Sequence, residues 1–397
     1  MLLLITPYLK KDKLKKFSYK NIGSILFLLI LFNASKAFIF NINYLRGVLI
    51  DYSLLKIYIS DLVLVLILIA FYRKILLSKY IYIFLILGLL NLFFSINPLI
   101  SFVYFIHVFI LFALVLAVKK TTINLNIIII VNVLYICVFF IQFFTDKSIF
   151  PYVPFGFYPY YGVSPNIDFF SFFGVAKVIP MANFPHANVF AGFLSFINII
   201  LIKNKKYYLF IINFFIIIFL ASFSALFFNI VLLLFFVLKL KISLKQKYVF
   251  LFFYLFLCLV LMLVFYNFGF KAVSVSQRLI QLKIFLFTVK NYPMFGVGLN
   301  NYIFAINIYE NFKKSVFVLQ PIHNIFLLFF SEVGIFISSF LVFFIYKFKK
   351  YIKFSPYLLY VLILGLFDHY LITLNQGQII LALTILLHNS IINNSND

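Results

Sequence analysis

Two predicted helices begin with the same kind of polar cluster. The segment FPHANVF carries His186 and Asn188 after Pro185, and the segment QPIHNIF carries His323 and Asn324 after another proline. Proline suits the first turn of a helix, where free N–H groups attract anions. A histidine there can exchange a proton near neutral pH. The repeated pattern predicts binding of a phosphate-type group beside a histidine; the alternative is a pair of polar helix caps at the membrane surface.

A second candidate for anion binding is Arg278, one of only three arginines in the chain. A guanidinium group keeps its charge and binds phosphate oxygens in a bidentate way, although an anchor to lipid headgroups is the alternative. Further along, the run PMFGVG holds Gly296 and Gly298, which permit a tight backbone bend and close approach of a substrate. It is not a nucleotide-binding fingerprint, because the third glycine and a preceding strand are missing.

The segment GLFDHYL places Asp368 beside His369 at the predicted outer end of a helix. An aspartate next to a histidine could tune a base or bind a sugar hydroxyl, and a polar helix cap is an equal alternative. Glu332 and Gly334 lie deep in the helix that follows His323. We expect both to hold that helix in the bundle, since an ionisable group is costly in lipid unless it faces protein.

The composition indicates a membrane protein, with 65% hydrophobic residues and a mean hydropathy of +1.15. Apolar stretches long enough for a helical crossing recur along the chain. We predict an all-α fold in one polytopic membrane domain, residues 1–397, with about twelve crossings. They are expected near residues 22–40, 54–72, 80–96, 98–118, 126–144, 185–202, 207–222, 224–240, 248–268, 321–346, 355–373 and 377–393.

The net charge is +24, and the positive residues are distributed in a regular way: lysine and arginine occupy every second connection between the predicted crossings. This is the positive-inside pattern, so both termini are predicted to be cytoplasmic, and nucleic acid is excluded as a partner. Two outer connections are long, about 145–184 and 269–320, which places the expected function at the outer face. The sequence has no nucleotide-hydrolysis motif, no metal-ligand spacing and no nucleophile elbow, so neither cofactor nor metal is predicted.

Several segments resemble the bacterial O-antigen ligase and O-antigen polymerase superfamily. They are PHANVFAGFLSF, SQRLIQLKIFLFTVKNYPMFGVGLNNYIFAI, QPIHNIFLLFFSEVGIF and FDHYLITLNQGQ, and the match is densest over residues 180–380. The resemblance implies a helical fold like that of C-type glycosyltransferases. It also implies metal-independent transfer of glycan from undecaprenyl diphosphate at the outer face of the bacterial cytoplasmic membrane. On this basis Arg278 would engage the diphosphate and His323 would act as the base.

The chain departs from the family pattern at two cationic positions, where Ile179 and Ala225 stand in place of arginine. Lys177 lies close to the first of them and is expected to compensate. A polymerase, which joins lipid-linked repeat units, is preferred over a ligase with a glycolipid or protein acceptor. A chain-length regulator and a flippase are further expected partners. A transporter of lipid-linked glycan is the alternative from another class, and a membrane scaffold without chemistry is the least favoured.

Overall fold

The fold is described from a computed structural model. The residues it describes are 21–31, 37–41, 44–45, 48–49, 54–118, 121–145, 169–172, 175–239, 272–309, 319–348 and 354–394, with a few single residues between 243 and 256. Much of the predicted outer connection 145–184, most of the predicted crossing 248–268, and residues 310–318 of the second outer connection lie outside the described residues.

Helices make up most of the described chain. They are α1 (Ile22–Leu31), α2 (Ile59–Leu76), α3 (Lys79–Phe93), α4 (Pro98–Ala117), α5 (Leu125–Thr145), α6 (Ala187–Lys203), α7 (Tyr207–Phe219), α8 (Phe223–Lys239), α9 (Ala272–Asn291), α10 (Tyr302–Ile308), α11 (Ile325–Phe348), α12 (Pro356–Phe367), α13 (Tyr370–Thr373) and α14 (Asn375–Asn394). Three small antiparallel hairpins accompany them: β1 (Ala37–Asn41) with β4 (Leu55–Tyr58), β2 (Tyr44–Leu45) with β3 (Val48–Leu49), and β5 (Phe169–Phe172) with β6 (Val175–Val178).

The all-α fold predicted from the sequence is confirmed, and membrane-type helices are present. Among the described residues, Pro98–Ala117, Leu125–Thr145 and Ile325–Lys347 are each long and apolar enough to cross a membrane. Helices α2 and α3 meet at 107° and together would form one broken crossing or a re-entrant loop. Helices α6, α7, α8 and α12 are apolar but shorter, with 10–17 residues each.

The predicted first crossing, residues 22–40, differs from the observed structure. Helix α1 ends at Leu31, and Ala37–Asn41 is a strand that pairs with Leu55–Tyr58. The apolar run therefore divides between two kinds of secondary structure. Hydropathy cannot separate them, because it records apolar content and not backbone pairing.

The main core surrounds α6, from which fourteen consecutive residues from Val189 to Ile202 are all buried. Buried amides connect α6 to its neighbours: Asn213 Nδ2 donates to Asn132 Oδ1 and to Asn198 Oδ1, each at 2.9 Å. Asn198 Nδ2 donates in turn to Asn229 Oδ1 at 2.8 Å. These bonds join α5, α6, α7 and α8, and they satisfy polar groups that lipid could not.

A smaller core joins α9, α10 and the start of α11. Its buried members include Ile284 from α9, Tyr302 and Ile306 from α10, and Leu328 from α11. The Tyr302 hydroxyl also donates to the backbone oxygen of Gln281 at 3.0 Å. This packing fixes α9 against the segment that carries His323.

Helix α11 is broken at Gly334, whose φ is 72° and ψ is −179°. A backbone in this conformation is essentially restricted to glycine. The loop around Phe295 fills the break: Val297 N–H donates to Ser331 O at 3.0 Å, and Ile335 N–H donates to Pro293 O at 2.9 Å. The loop thus replaces the helical hydrogen bonds lost at the break.

Candidate functional site

The centre of the candidate site is a contact between His323 and two consecutive residues, Asp368 and His369. His323 Nδ1 lies 3.6 Å from Asp368 Oδ1, and the rings of His323 and His369 are 4.9 Å apart between centroids. The side chain of His323 is 23% exposed, whereas that of Asp368 is 7% exposed. The arrangement therefore has a reachable imidazole backed by a buried carboxylate, which can orient the ring and stabilise it after it accepts a proton.

The position of His323 is fixed through its backbone. Gln281 on α9 accepts a hydrogen bond from the His323 N–H at 3.1 Å and donates to Pro321 O at 3.4 Å. Directly after His323, Asn324 Oδ1 caps α11 by accepting from the N–H groups of Phe326 and Leu327. The hydrogen bond to Gln281 and the helix cap formed by Asn324 therefore hold the His323 backbone in place from two sides.

The positions of Asp368 and His369 follow from the junction of α12 and α13. Asp368 ends α12, and its backbone N–H donates to Leu364 O at 2.9 Å. The Asp368 Oδ1 also accepts from the His369 N–H at 2.8 Å, while His369 Nδ1 lies 2.7 Å from Thr373 Oγ1. These contacts restrict both side chains before any substrate is present.

His186 and Asn188 belong to the start of α6. His186 is the N-cap residue, and its Nδ1 accepts from the Asn188 N–H at 3.1 Å. His186 and His369 are close enough for an electrostatic interaction between their side chains. Cap bonds occupy His186 Nδ1 and Asn324 Oδ1, which gives weight to the helix-cap alternative for these two residues.

Arg278 is exposed on α9. It lies three residues before Gln281, and residues at this spacing are neighbours on one face of a helix. Gln281 is buried and contacts the backbone at His323, whereas Arg278, one turn earlier, is exposed. Arg278 is thus an exposed cation on the helix that Gln281 ties to the His323 segment.

Gly296 and Gly298 have positive φ values of 68° and 97°. A Cβ on Gly296 would press on the Glu332 backbone, and one on Gly298 would collide with the Ser95 side chain. The positive φ angles and missing side chains of Gly296 and Gly298 therefore allow close packing inside the protein. The Glu332 carboxylate accepts backbone hydrogen bonds from Asn300 and Tyr302, in agreement with the predicted bundle-holding role.

Three further positions concern the cationic pattern of the family. Lys177 is in strand β6, and its side chain lies outside the described residues. Ile179 and Ala225, which stand where the family pattern has arginine, are both buried among hydrophobic residues. An arginine at Ala225, which is 0% exposed, would need an internal partner, so the core here is built for a small side chain.

Gln281 and Thr373 hold the site but have no sequence signature for that role. Gln281 could have been noticed only because it shares a helical face with Arg278, and Thr373 because it follows His369 by one turn. The link between His323 and Asp368 spans forty-five residues of chain. Spacing along a sequence cannot predict a contact of that kind.

His323, Asp368 and His369 each offer one ligand-type atom, and these atoms lie within 4.8 Å of one another. Two imidazoles and a carboxylate are a donor set that suits several divalent metals. The fold therefore creates a group of potential ligands that the sequence spacing did not indicate. The contact can serve either a proton transfer or a metal ion.

The chain was compared with protein-family models, with curated proteins and with solved structures. No family model, curated protein or solved structure matches it.

Proposed function

We propose that this protein transfers glycan from an undecaprenyl-diphosphate carrier to the hydroxyl group of an acceptor sugar. The observation that carries the proposal is the contact between the accessible His323 ring and the buried Asp368 carboxylate, at 3.6 Å. In the reaction, the acceptor oxygen attacks the anomeric carbon of the donor sugar. The bond from that carbon to the phosphate oxygen breaks, the acceptor proton passes to His323, and undecaprenyl diphosphate leaves as the anion.

Arg278 is assigned to the diphosphate. It is exposed and lies on the helix that clamps the His323 backbone through Gln281. A fixed positive charge next to the leaving group stabilises the negative charge that develops there in the transition state. A single displacement of this kind inverts the configuration at the anomeric carbon.

The proposed location is the outer face of the bacterial cytoplasmic membrane, with about twelve crossings and both termini in the cytoplasm. The support is the alternation of basic connections along the sequence. In this topology, the helix starts at His186 and His323 and the junction at Asp368 all face outward. The donor would be delivered from the inner leaflet by a flippase, and a chain-length regulator would act on the product.

Polymerisation of lipid-linked repeat units is the preferred form of the reaction, and transfer to a glycolipid or protein acceptor is the alternative. A lipid-linked glycan transporter is the candidate from another class. The accessible His323 beside Asp368 and the exposed Arg278 on α9 support transfer, because they supply a base for the acceptor hydroxyl and a cation for the leaving diphosphate.

The length distribution of lipid-linked and surface glycan after deletion of the gene tests the proposal. Accumulation of single repeat units indicates a polymerase. Long lipid-linked chains that never reach their acceptor indicate a ligase. Unchanged lengths in both pools would contradict glycan transfer and favour the transporter.

A further inference from the structure

The contact between His323, Asp368 and His369 has the composition of a binding site for a transition-metal ion. Two imidazoles and one carboxylate lie with their ligand-type atoms within 4.8 Å of one another. Calcium and magnesium prefer oxygen ligands, whereas zinc is commonly held by two histidines and one carboxylate, with a fourth position left for water. The donor set therefore favours zinc over the hard divalent ions.

The distances within the contact are close to those of a zinc site. Ligand atoms that lie about 2.0–2.2 Å from a tetrahedral zinc ion are about 3.4 Å from one another. His323 Nδ1 and Asp368 Oδ1 are already 3.6 Å apart. His323 is also the most exposed of the three residues, so its ring can turn slightly to complete the set of ligands.

The other two ligands, Asp368 and His369, are held in place before any ion binds. The Asp368 carboxylate accepts from the His369 N–H at 2.8 Å. The Thr373 hydroxyl has a single hydrogen, which it donates to the His369 backbone oxygen at 3.2 Å. In the 2.7 Å contact between the same hydroxyl and His369 Nδ1, the ring N–H is therefore the donor. This tautomer has its lone pair on Nε2, and a hydrogen bond that fixes the tautomer in this way is typical of histidines that bind metals.

We propose that these three residues bind a zinc ion from the outer aqueous phase, and that the bound ion inhibits the protein. The inhibition rests on the proposed transfer reaction, in which His323 accepts the proton of the acceptor hydroxyl. A zinc ion shared between His323 and Asp368 takes the carboxylate away from the ring and places a doubly charged cation on the imidazole. The ring then cannot accept that proton. The zinc ion is an exchangeable inhibitor and not a cofactor, because transfer uses the histidine in its metal-free form.

The test of the metal site uses purified full-length protein in lipid nanodiscs, stripped with EDTA and returned to metal-free buffer. The probe is Co²⁺, which accepts the ligands of zinc and reports tetrahedral coordination by its visible absorption; Zn²⁺ then displaces it. His369→Gln removes one ligand, and Thr373→Val removes the hydroxyl behind that ligand but keeps the shape of the side chain. His388→Gln is the matched control, because His388 contacts Ser355 Oγ near the opposite end of α14. Thermal unfolding of each variant shows whether the fold is retained.

We expect one equivalent of tetrahedral Co²⁺ in the wild-type protein and in His388→Gln. Binding should be at least about tenfold weaker in Thr373→Val, and weaker still in His369→Gln. Absence of the tetrahedral signal from the folded wild-type protein would overturn the metal site. Equal affinity in all four proteins would overturn it as well, since it would show adventitious binding elsewhere on the surface.

The inhibition is tested separately, by glycan transfer with and without Zn²⁺. We expect transfer by the wild-type protein to fall by about a hundredfold or more at the Zn²⁺ concentration that displaces Co²⁺, because the base is lost. Equal transfer by metal-free and zinc-loaded protein would overturn the inhibition and leave the proposed function in place. Transfer only by the zinc-loaded protein would also overturn it and make zinc a cofactor. Because Co²⁺ binding is read without turnover, zinc-displaceable binding by a protein that transfers nothing would keep the metal site and reject the proposed function.

Discussion

Gln281 Oε1 accepts a hydrogen bond from the His323 backbone N–H at 3.1 Å, which ties helix α9 to the residue proposed as the base. Arg278 stands three residues earlier on the same helix. The bond therefore joins the helix that carries a fixed positive charge to the segment that carries the imidazole. Glycan transfer requires both groups to be held in place, because the base accepts the proton of the attacking hydroxyl while the cation stabilises the leaving diphosphate.

The first prediction concerns this clamp. Gln281→Leu removes the acceptor of the His323 N–H, and we expect glycan transfer to fall roughly tenfold, since a positioning error of about 1 Å is costly. Gln281→Glu keeps the oxygen that accepts from the His323 N–H but loses the donor to Pro321 O, so we expect a smaller loss of activity than in Gln281→Leu. The measurement is glycan chain length in cells that carry each variant at equal protein level. Equal loss in both variants would indicate damage to the fold and not to the position of His323.

The second prediction concerns the carboxylate behind the base. Asp368→Asn keeps the size of the side chain but removes its charge, and we expect transfer to fall by about a hundredfold or more. His388→Gln is the matched control, because His388 contacts Ser355 Oγ at 2.7 Å near the opposite end of α14. Transfer is measured against the amount of membrane-inserted protein. Full activity of Asp368→Asn would remove Asp368 from the mechanism.

The third prediction tests the break in α11. Gly334→Ala puts a Cβ against the backbone of Gly296 and Met294 at a φ of 72°, so we expect it to lower the free energy of unfolding by at least about 2 kcal/mol. Gly365→Ala is the control, because its Cβ would meet only flexible side chains of Ile325 and Phe326. Thermal unfolding in detergent compares the two. Similar melting temperatures for Gly334→Ala and Gly365→Ala would contradict the prediction. They would show that the loop around Phe295 can move away from the break with little loss of stability.

The fourth prediction separates proton transfer from metal chemistry at the three-residue contact. If His323 acts as a base, EDTA should leave transfer unchanged, and the purified protein should contain no stoichiometric divalent metal. Metal content is measured by mass spectrometry together with transfer. Bound zinc or manganese that is lost with EDTA, along with the activity, would assign His323, Asp368 and His369 as ligands instead.

The sequence predicts the helical class and each polar residue of the contact separately, because apolar length and helix-start chemistry are local signals. It does not predict that His323 meets Asp368, since this contact depends on how α11 and α12 pack. The sequence also does not predict the strand Ala37–Asn41, because an apolar run is compatible with both a helix and a strand. The role of Gly334 in a helix break becomes clear only when the loop that fills it is known.

The most direct test of the account is glycan transfer by the purified protein in vesicles supplied with undecaprenyl-diphosphate-linked repeat units. The readouts are lengthened lipid-linked glycan and released undecaprenyl diphosphate. The account predicts both products from the wild-type protein and from Lys290→Ala, an exposed lysine further along α9, and neither product from His323→Gln or Arg278→Ala. Equal product from His323→Gln, or none from the folded wild-type protein, would contradict it.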